Sequence, residues 1–243
     1  MSAQTVGPTD RRTAKVSSTF RSEVVGSMLR PKFLVDARAG LKQGQLEAAE
    51  FKRIEDRAVD QALAIQSAVG LDVVTDGELR RSIFTGPLTE NIDGLDYVPG
   101  LMRTWYTEDG PVQEELPLVV TGKLRSRRSA VTEEFTYARA CADRAVKVTL
   151  PSPLMMFLRW SPEHSTAAYI NAFAMAADAA DIIRDEVREL AELGCTYVQI
   201  DAPELATLVQ AETRQWFTDQ GISPAAMLAE GMDLLNSITD VPG

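Results

Sequence analysis

Residues 71–81, Leu-Asp-Val-Val-Thr-Asp-Gly-Glu-Leu-Arg-Arg, constrain this chain more than any other stretch, because a short β-branched run passes straight into a turn carrying Asp76 and Glu78. Val73, Val74 and Thr75 favour a packed strand, and Gly77 marks a tight change of direction. In parallel α/β folds the loops leaving the carboxyl ends of strands carry the chemistry, so Glu78 is expected on a rigid support facing a crevice. An Asp-Gly pair is also an ordinary solvated turn, and that reading stands beside the first.

The flanking segments extend the pattern. Residues 20–27 read as a first strand ending at the Gly26-Ser27 turn, where a ligand has close access to the backbone. Over residues 45–69, Phe51, Ile54, Ala58, Ala62 and Ile65 recur at helical spacing, with Glu47, Glu50, Lys52, Arg53, Glu55 and Asp56 on the opposite face. Gly70 then closes the helix and a strand over 72–75 follows, a strand-helix-strand unit that implies parallel pairing. Further strands are predicted over 116–124, 146–150 and 197–200. Helices are predicted over 132–145, over 165–193 with one break, and over 224–238 with Met227, Leu228, Met232, Leu235 and Ile238 as the buried stripe. Residues 83–115 lose periodicity and carry Tyr97, Trp105 and Tyr106 among repeated Gly and Pro. They read as a lid-like loop, with a hairpin on a barrel rim as the alternative. Alternating strands and helices give an α/β fold with a parallel sheet. About five strand-helix units are visible, whereas a closed parallel barrel has eight.

Composition narrows the function classes. The 243 residues are 45% hydrophobic and carry a formal charge of -10, which suits a packed domain and argues against nucleic acid as a partner. Arg125, Arg127 and Arg128 form only a short basic cluster, read as a solvated loop. Cys141 and Cys195 are too far apart in sequence for a Cys-x-x-Cys metal site and read as small buried hydrophobes. Residues 1–19 read as a flexible tail without a signal-type apolar segment, and no run is long enough to span a bilayer, so a reducing cytoplasm is expected.

Three motifs in this order, Val25-Gly26-Ser27 with Arg30-Pro31, residues 70–78, and Tyr197-Val198-Gln199-Ile200-Asp201-x-Pro203, resemble the cobalamin-independent methionine synthase family, its catalytic carboxyl-terminal barrel and short stand-alone relatives. The resemblance implies a (β/α)8 TIM-type barrel of the uroporphyrinogen-decarboxylase/methionine-synthase-like kind. Residues 20–243 would supply the amino-terminal portion of that barrel. It implies methyl transfer from 5-methyltetrahydrofolate to homocysteine, or a related small thiol, through a zinc-bound thiolate. Residue by residue it places Ser27 and the backbone near Gly26 on the homocysteine carboxylate, and Glu78 and Asp201 on its ammonium group. Two carboxylates converging on a cation, and a Gly-Ser turn offering donors to an anion, are chemically consistent with that assignment. Arg81 is given a supporting role, and Asp201 has a structural alternative as a helix cap. Ala202 departs from the family's usual Asp-Glu-Pro.

The family's zinc ligands come from the second half of the barrel, so no metal ligand is expected in this chain, and no catalytic residue is assigned. His164, the single histidine, reads as part of a helix start near Ser161-Pro162. The chain by itself is therefore expected to be inactive. Two other functions remain open: a non-catalytic module whose strand edge at 197–200 pairs with a second copy or a complementing carboxyl-terminal polypeptide, and a uroporphyrinogen-decarboxylase-like lyase.

Overall fold

The computed structural model describes residues 22–107, 109–129 and 131–240; the expected tail at 1–19 lies outside them. In chain order the elements are α1 (Lys32–Lys42), α2 (Ala48–Ala68), β1 (Val73–Val74), α3 (Gly86–Thr89), β2 (Ile92–Tyr97), β3 (Met102–Thr107), β4 (Gly110–Glu115), β5 (Leu118–Ser126), α4 (Thr132–Cys141), β6 (Ala145–Val146), β7 (Val148–Pro151), α5 (Pro162–Ser165), α6 (Ala172–Glu192), β8 (Val198–Asp201), α7 (Pro203–Ala206), α8 (Ala211–Asp219), α9 (Pro224–Leu228) and α10 (Glu230–Thr239). They fall into two units, one of residues 22–81, 134–148 and 195–197, the other of the remaining described residues. No described helix is long and apolar enough to cross a membrane.

In the first unit α2 packs on α1 and β1, and β1 pairs in parallel with β6 through Val73–Ala145 and Val74–Val146. Gly70, at φ 78°, ends α2 while Leu71 N–H reaches back to the Gln66 carbonyl at 3.1 Å, a left-handed helix end open to glycine. The buried face of α2 differs from the predicted one. Phe51, Ala58 and Ala62 are buried as expected, but Ile65 is 56% exposed while Glu55 and Gln66 are buried. Specific polar partners turn the helix this way. The Gln66 amide donates to the Thr75 carbonyl at 2.8 Å and accepts from Thr75 N–H at 2.9 Å, and Arg38 meets Glu55 at 3.3 Å. A satisfied amide tying the helix to the strand outweighs burial of one aliphatic side chain.

The predicted strand at 20–27 is not present in its described part, where residues 22–27 are irregular. Behind Pro31 the chain forms α1, Lys32–Lys42.

In the second unit the predicted lid is a pair of antiparallel ladders. β3 pairs with β4, and β2 pairs with β5, so the third predicted strand is antiparallel rather than a member of a parallel sheet. The chain crosses itself closely at Gly94 (φ 96°), where an added Cβ would stand 2.6 Å from the Lys123 carbonyl oxygen. That requirement produces the register shift between Asp93 and Leu95. β8 lies beside β7, and Ser152 N–H donates to the Asp201 carbonyl at 2.8 Å. Among the described residues the parallel pairings are therefore short pairs and no closed ring of eight strands is present.

α6 is capped by Asn171, whose side chain accepts from Ala174 N–H, and it buries Ile183 and Leu190. The predicted helix at 224–238 breaks at Ala229 (φ -105°, ψ -81°) into α9 and α10. The break turns Leu228 outward, 58% exposed, and Met232 to 37%, while Met227 and Ile238 stay buried. The basic cluster at Arg125, Arg127 and Arg128 is exposed at the end of β5, as expected. Cys141 corrects another expectation: it is exposed at the end of α4, and Cys195 is half-buried.

Candidate active site

The turn after β1 is built from its own side chains. Thr75 Oγ1 accepts from Gly77 N–H at 3.0 Å, and Asp76 Oδ1 accepts from Glu78 N–H at 2.9 Å. These two short links fold the backbone into successive left-handed residues, Gly77 at φ 73° and Glu78 at φ 55°. For Glu78 that conformation costs roughly 1–2 kcal/mol, retained because the surroundings fix it. Met28 N–H bonds the Gly77 carbonyl at 3.0 Å, which brings the Gly26-Ser27 segment against the turn. There Ser27 Oγ donates to Glu78 Oε2 at 2.5 Å, across 51 residues of sequence. Arg30 reinforces the same junction by donating to the Arg81 carbonyl at 3.0 Å.

Arg81 and Arg80 diverge. Arg81, 4% exposed, forks onto Glu134 with Nη2–Oε2 at 2.7 Å and Nε at 3.1 Å from both oxygens. Burial alone would lower the Arg81 pKa, but Glu134, with Asp76 and Glu78, holds it above the ordinary value. Arg80 pairs with Asp56 at 2.6 Å and lies over the Tyr137 ring.

Below the turn, Asp76, Glu134, Phe135, Ala138, Val146, Lys147 and Val148 line a cavity of about 10 Å³. That is room for about one water, not for a substrate. Asp76 Oδ2 has no hydrogen-bond partner there. Burial first, then the Glu134 carboxylate, pushes the Asp76 carboxyl up to about 7, against the opposing pull of Arg81 and the Glu78 N–H. Lys147 is fully buried, donates to the Val24 carbonyl at 2.6 Å and pairs with Glu23 at 3.4 Å. It separates β6 from β7 and pins residues 23–24 beside the site. Its signal in the sequence is a lone cation inside the apolar run 145–150, which periodicity counting passes over; Glu134 is hidden the same way among charged helix residues.

Asp201 belongs to the second unit, as the last residue of β8, with its Oδ1 accepting from Gln199 Nε2 at 2.5 Å. The residue at the start of α7 is Ala202, whose side chain makes no capping hydrogen bond. The acid missing at 202 has a neighbour at 204. Glu204 is 3% exposed, neither of its oxygens receives a well-formed hydrogen bond, and burial pushes it up to about 7 while the Ser152 hydroxyl opposes that shift. Ser27, Gly26, Glu78 and Arg81 are thus gathered in one unit, and Asp201 stands in the other.

A zinc site requires three or four convergent Cys, His or carboxylate ligands. Among the described residues no group of three or more His, Cys, Asp or Glu is so arranged. Both thiol pKa values are raised, that of Cys195 by burial and that of the exposed Cys141 by partial desolvation and the nearby Asp60 carboxylate, the wrong direction for a ready thiolate ligand, and His164 sits in the short helix α5 of the second unit. These residues do not fit zinc, and no step is derived through it.

Comparison with known proteins bears on the same residues. The chain is 26% identical over 226 residues to the uncharacterized protein YxjH of Bacillus subtilis (strain 168), spanning 92% of this chain and 59% of that protein. It is 29% identical over 206 residues to the 5-methyltetrahydropteroyltriglutamate–homocysteine methyltransferase of Mycobacterium tuberculosis (strain ATCC 25618 / H37Rv), spanning 79% of this chain and 25% of that enzyme. The chain therefore covers well under two thirds of these relatives. A B12-independent methionine synthase from Shewanella sp. W3-18-1, solved with selenomethionine, superposes with a TM-score of 0.65 at 20% identity over 90% of this chain and 58% of its own. The putative vitamin-B12 independent methionine synthase of Listeria monocytogenes gives 0.63 at 25% identity, over 90% of this chain and 60% of its own. Residues 20–229, which hold the Ser27–Glu78 junction and Asp201, match the model of the catalytic domain of cobalamin-independent synthase, and the chain belongs to that family.

Proposed function

We propose that this chain holds the amino-acid thiol in a methionine-synthase-type methyl transfer, with homocysteine or a related small thiol as acceptor and a methyltetrahydrofolate as donor. The observation that carries the reading is the hydrogen bond between Ser27 and Glu78, which unites the first two family motifs at the carboxyl end of β1. In this reading Glu78 receives the substrate ammonium, the Gly26–Ser27 turn receives the carboxylate, and Asp201 adds a second carboxylate toward the ammonium. Arg81 acts as a positioning residue through Glu134, because their two-pronged pair fixes the residue that ends the turn. The finer fold reading, that residues 20–243 form the amino-terminal portion of a (β/α)8 barrel, belongs to the same proposal and is supported by the coverage of the two solved methionine synthases.

Calorimetric titration of the chain with L-homocysteine under reducing conditions, and with L-methionine, tests the reading. Glu78→Gln keeps the size of the side chain and an acceptor for Ser27 but removes the charge. Losing a charged hydrogen bond of this kind weakens binding about tenfold or more. Unchanged affinity in Glu78→Gln, or no binding by the parent chain, overturns it.

A further inference from the structure

The second unit buries a cation with no counter-ion among the described residues. Arg103, on β3, is 4% exposed, and neither its Nε nor its Nη1 has a hydrogen-bond partner. Its guanidinium carbon lies 4.1 Å from the centroid of the Trp105 ring and 4.0 Å from that of Trp216, with Phe217 at 5.7 Å. Indole faces attract the flat sides of a guanidinium but leave its in-plane N–H donors unanswered. A buried charge without a partner costs more than such stacking returns.

A second cation makes the imbalance sharper. Arg159, partly buried at the end of the 3-10 helix Pro153–Arg159, is close enough to add to the burial that lowers Arg103 to about 10. Burial also lowers Arg159, opposed by Glu114. Glu114 is the cross-strand partner of Arg103, yet its Oε2 accepts the Trp105 indole N–H at 2.8 Å, and among the described residues neither arginine forms an ion pair. Arg103 is thus a buried guanidinium whose cross-strand carboxylate is engaged by the Trp105 indole, in a chain whose formal charge is -10.

We propose that Arg103 and Arg159 form a binding site for a small oxyanion, a carboxylate or phosphate group, with Trp105 and Trp216 holding the Arg103 guanidinium by its faces. The anion supplies the acceptors the in-plane donors lack, and Arg159, being partly exposed, gives it a way in. The site is independent of the Ser27–Glu78 junction and of the methyl-transfer reading.

The test is titration of the whole chain with sodium phosphate and, separately, with sodium glutarate, at an ionic strength held constant with sodium chloride, reading tryptophan fluorescence and the thermal midpoint. A saturable response to at least one of them, absent with chloride alone, is expected. Phosphate alone identifies a phosphate-type ligand, glutarate alone a carboxylate-type one, and a response to both identifies their shared oxyanion chemistry. Arg159→Met and Arg103→Met are each expected to weaken the response about tenfold or more, while Arg188→Met, which removes an exposed cation paired with Asp185, leaves it unchanged. Because Arg103→Met alters the packing between two indoles, the parent chain is also followed by the ¹⁵N resonance of Arg103 Nε, which shifts on saturation. No saturable response to either anion, parent-like binding by Arg159→Met, or an unmoved Arg103 resonance overturns the proposal.

Discussion

Replacing Asp76 by Asn isolates the cost of keeping a carboxylate in the wall of a nearly closed cavity. The native carboxyl is raised from 3.8 to about 7, chiefly by burial. The folded protein therefore binds a proton more tightly than the unfolded chain. This contribution to stability is complete below about pH 4 and is lost as pH rises to about 7. Displacement of this size corresponds to roughly 4 kcal/mol at most, since each pH unit is worth ~1.4 kcal/mol. Asn keeps the oxygen that accepts the Glu78 N–H and replaces the orphan Oδ2 by a donor facing carboxylates. Urea unfolding of both proteins at pH 4.5 and pH 8 measures the effect, and every other titrating group cancels in the difference. The Asn variant should gain several kcal/mol relative to the parent between the two pH values. A difference that stays constant within about 0.5 kcal/mol would mean that Asp76 is not desolvated as the geometry requires.

Arg81→Met leaves Glu134 buried without its two-pronged partner, and breaking such a pair costs about 3–5 kcal/mol; urea unfolding at pH 7 should show a loss of that order. Gly94→Ala places a methyl group 2.6 Å from the Lys123 carbonyl in a backbone region that disfavours side chains. A destabilisation of about 1–3 kcal/mol is expected, with faster amide exchange concentrated in β2 and β5.

How much of this was legible in the sequence depends on whether local pattern or distant partners set the outcome. The turn at 76–78 was readable because Thr75 and Asp76 bond the backbone two residues on, a local rule. Gly70 ends its helix as expected, at φ 78°. The face of α2 was not readable, since Glu55 is drawn inward by Arg38 and Gln66 by Thr75, partners that helical periodicity does not contain. Of the two readings of residues 83–115, the hairpin is the one that matches the β3–β4 ladder; sequence alone left both open because Gly and Pro in residues 94–111 mark the bends of antiparallel ladders as well as they mark a loop. Ser27, Glu78, Arg81 and Asp201 are legible through the motifs that carry them. Lys147, Glu134 and Arg103 are not, because a single charge in an apolar or mixed run declares its burial only when the fold closes around it.

The pairing of charge in the first unit leads to a consequence for ligand binding. Arg81 is matched by Glu134, Lys147 by Glu23, Arg80 by Asp56 and Arg38 by Glu55. Asp76, by contrast, is buried beside the Glu134 carboxylate with one oxygen unpartnered, and Glu78 two residues on adds to the cost of its charge. Asp76 meets that cost by holding its proton up to about pH 7. An ammonium group arriving at Glu78 reverses the balance, because a nearby cation favours the ionised form of Asp76 and lowers its pKa. Binding of homocysteine or methionine at pH 7 should therefore release a fraction of a proton, on the order of half, from the parent chain and none from Asp76→Asn. Calorimetry in phosphate and in Tris separates the two cases, since the buffers take up protons with very different heats. Equal proton release by the two proteins would remove Asp76 from the binding equilibrium, even if Glu78 still held the ligand.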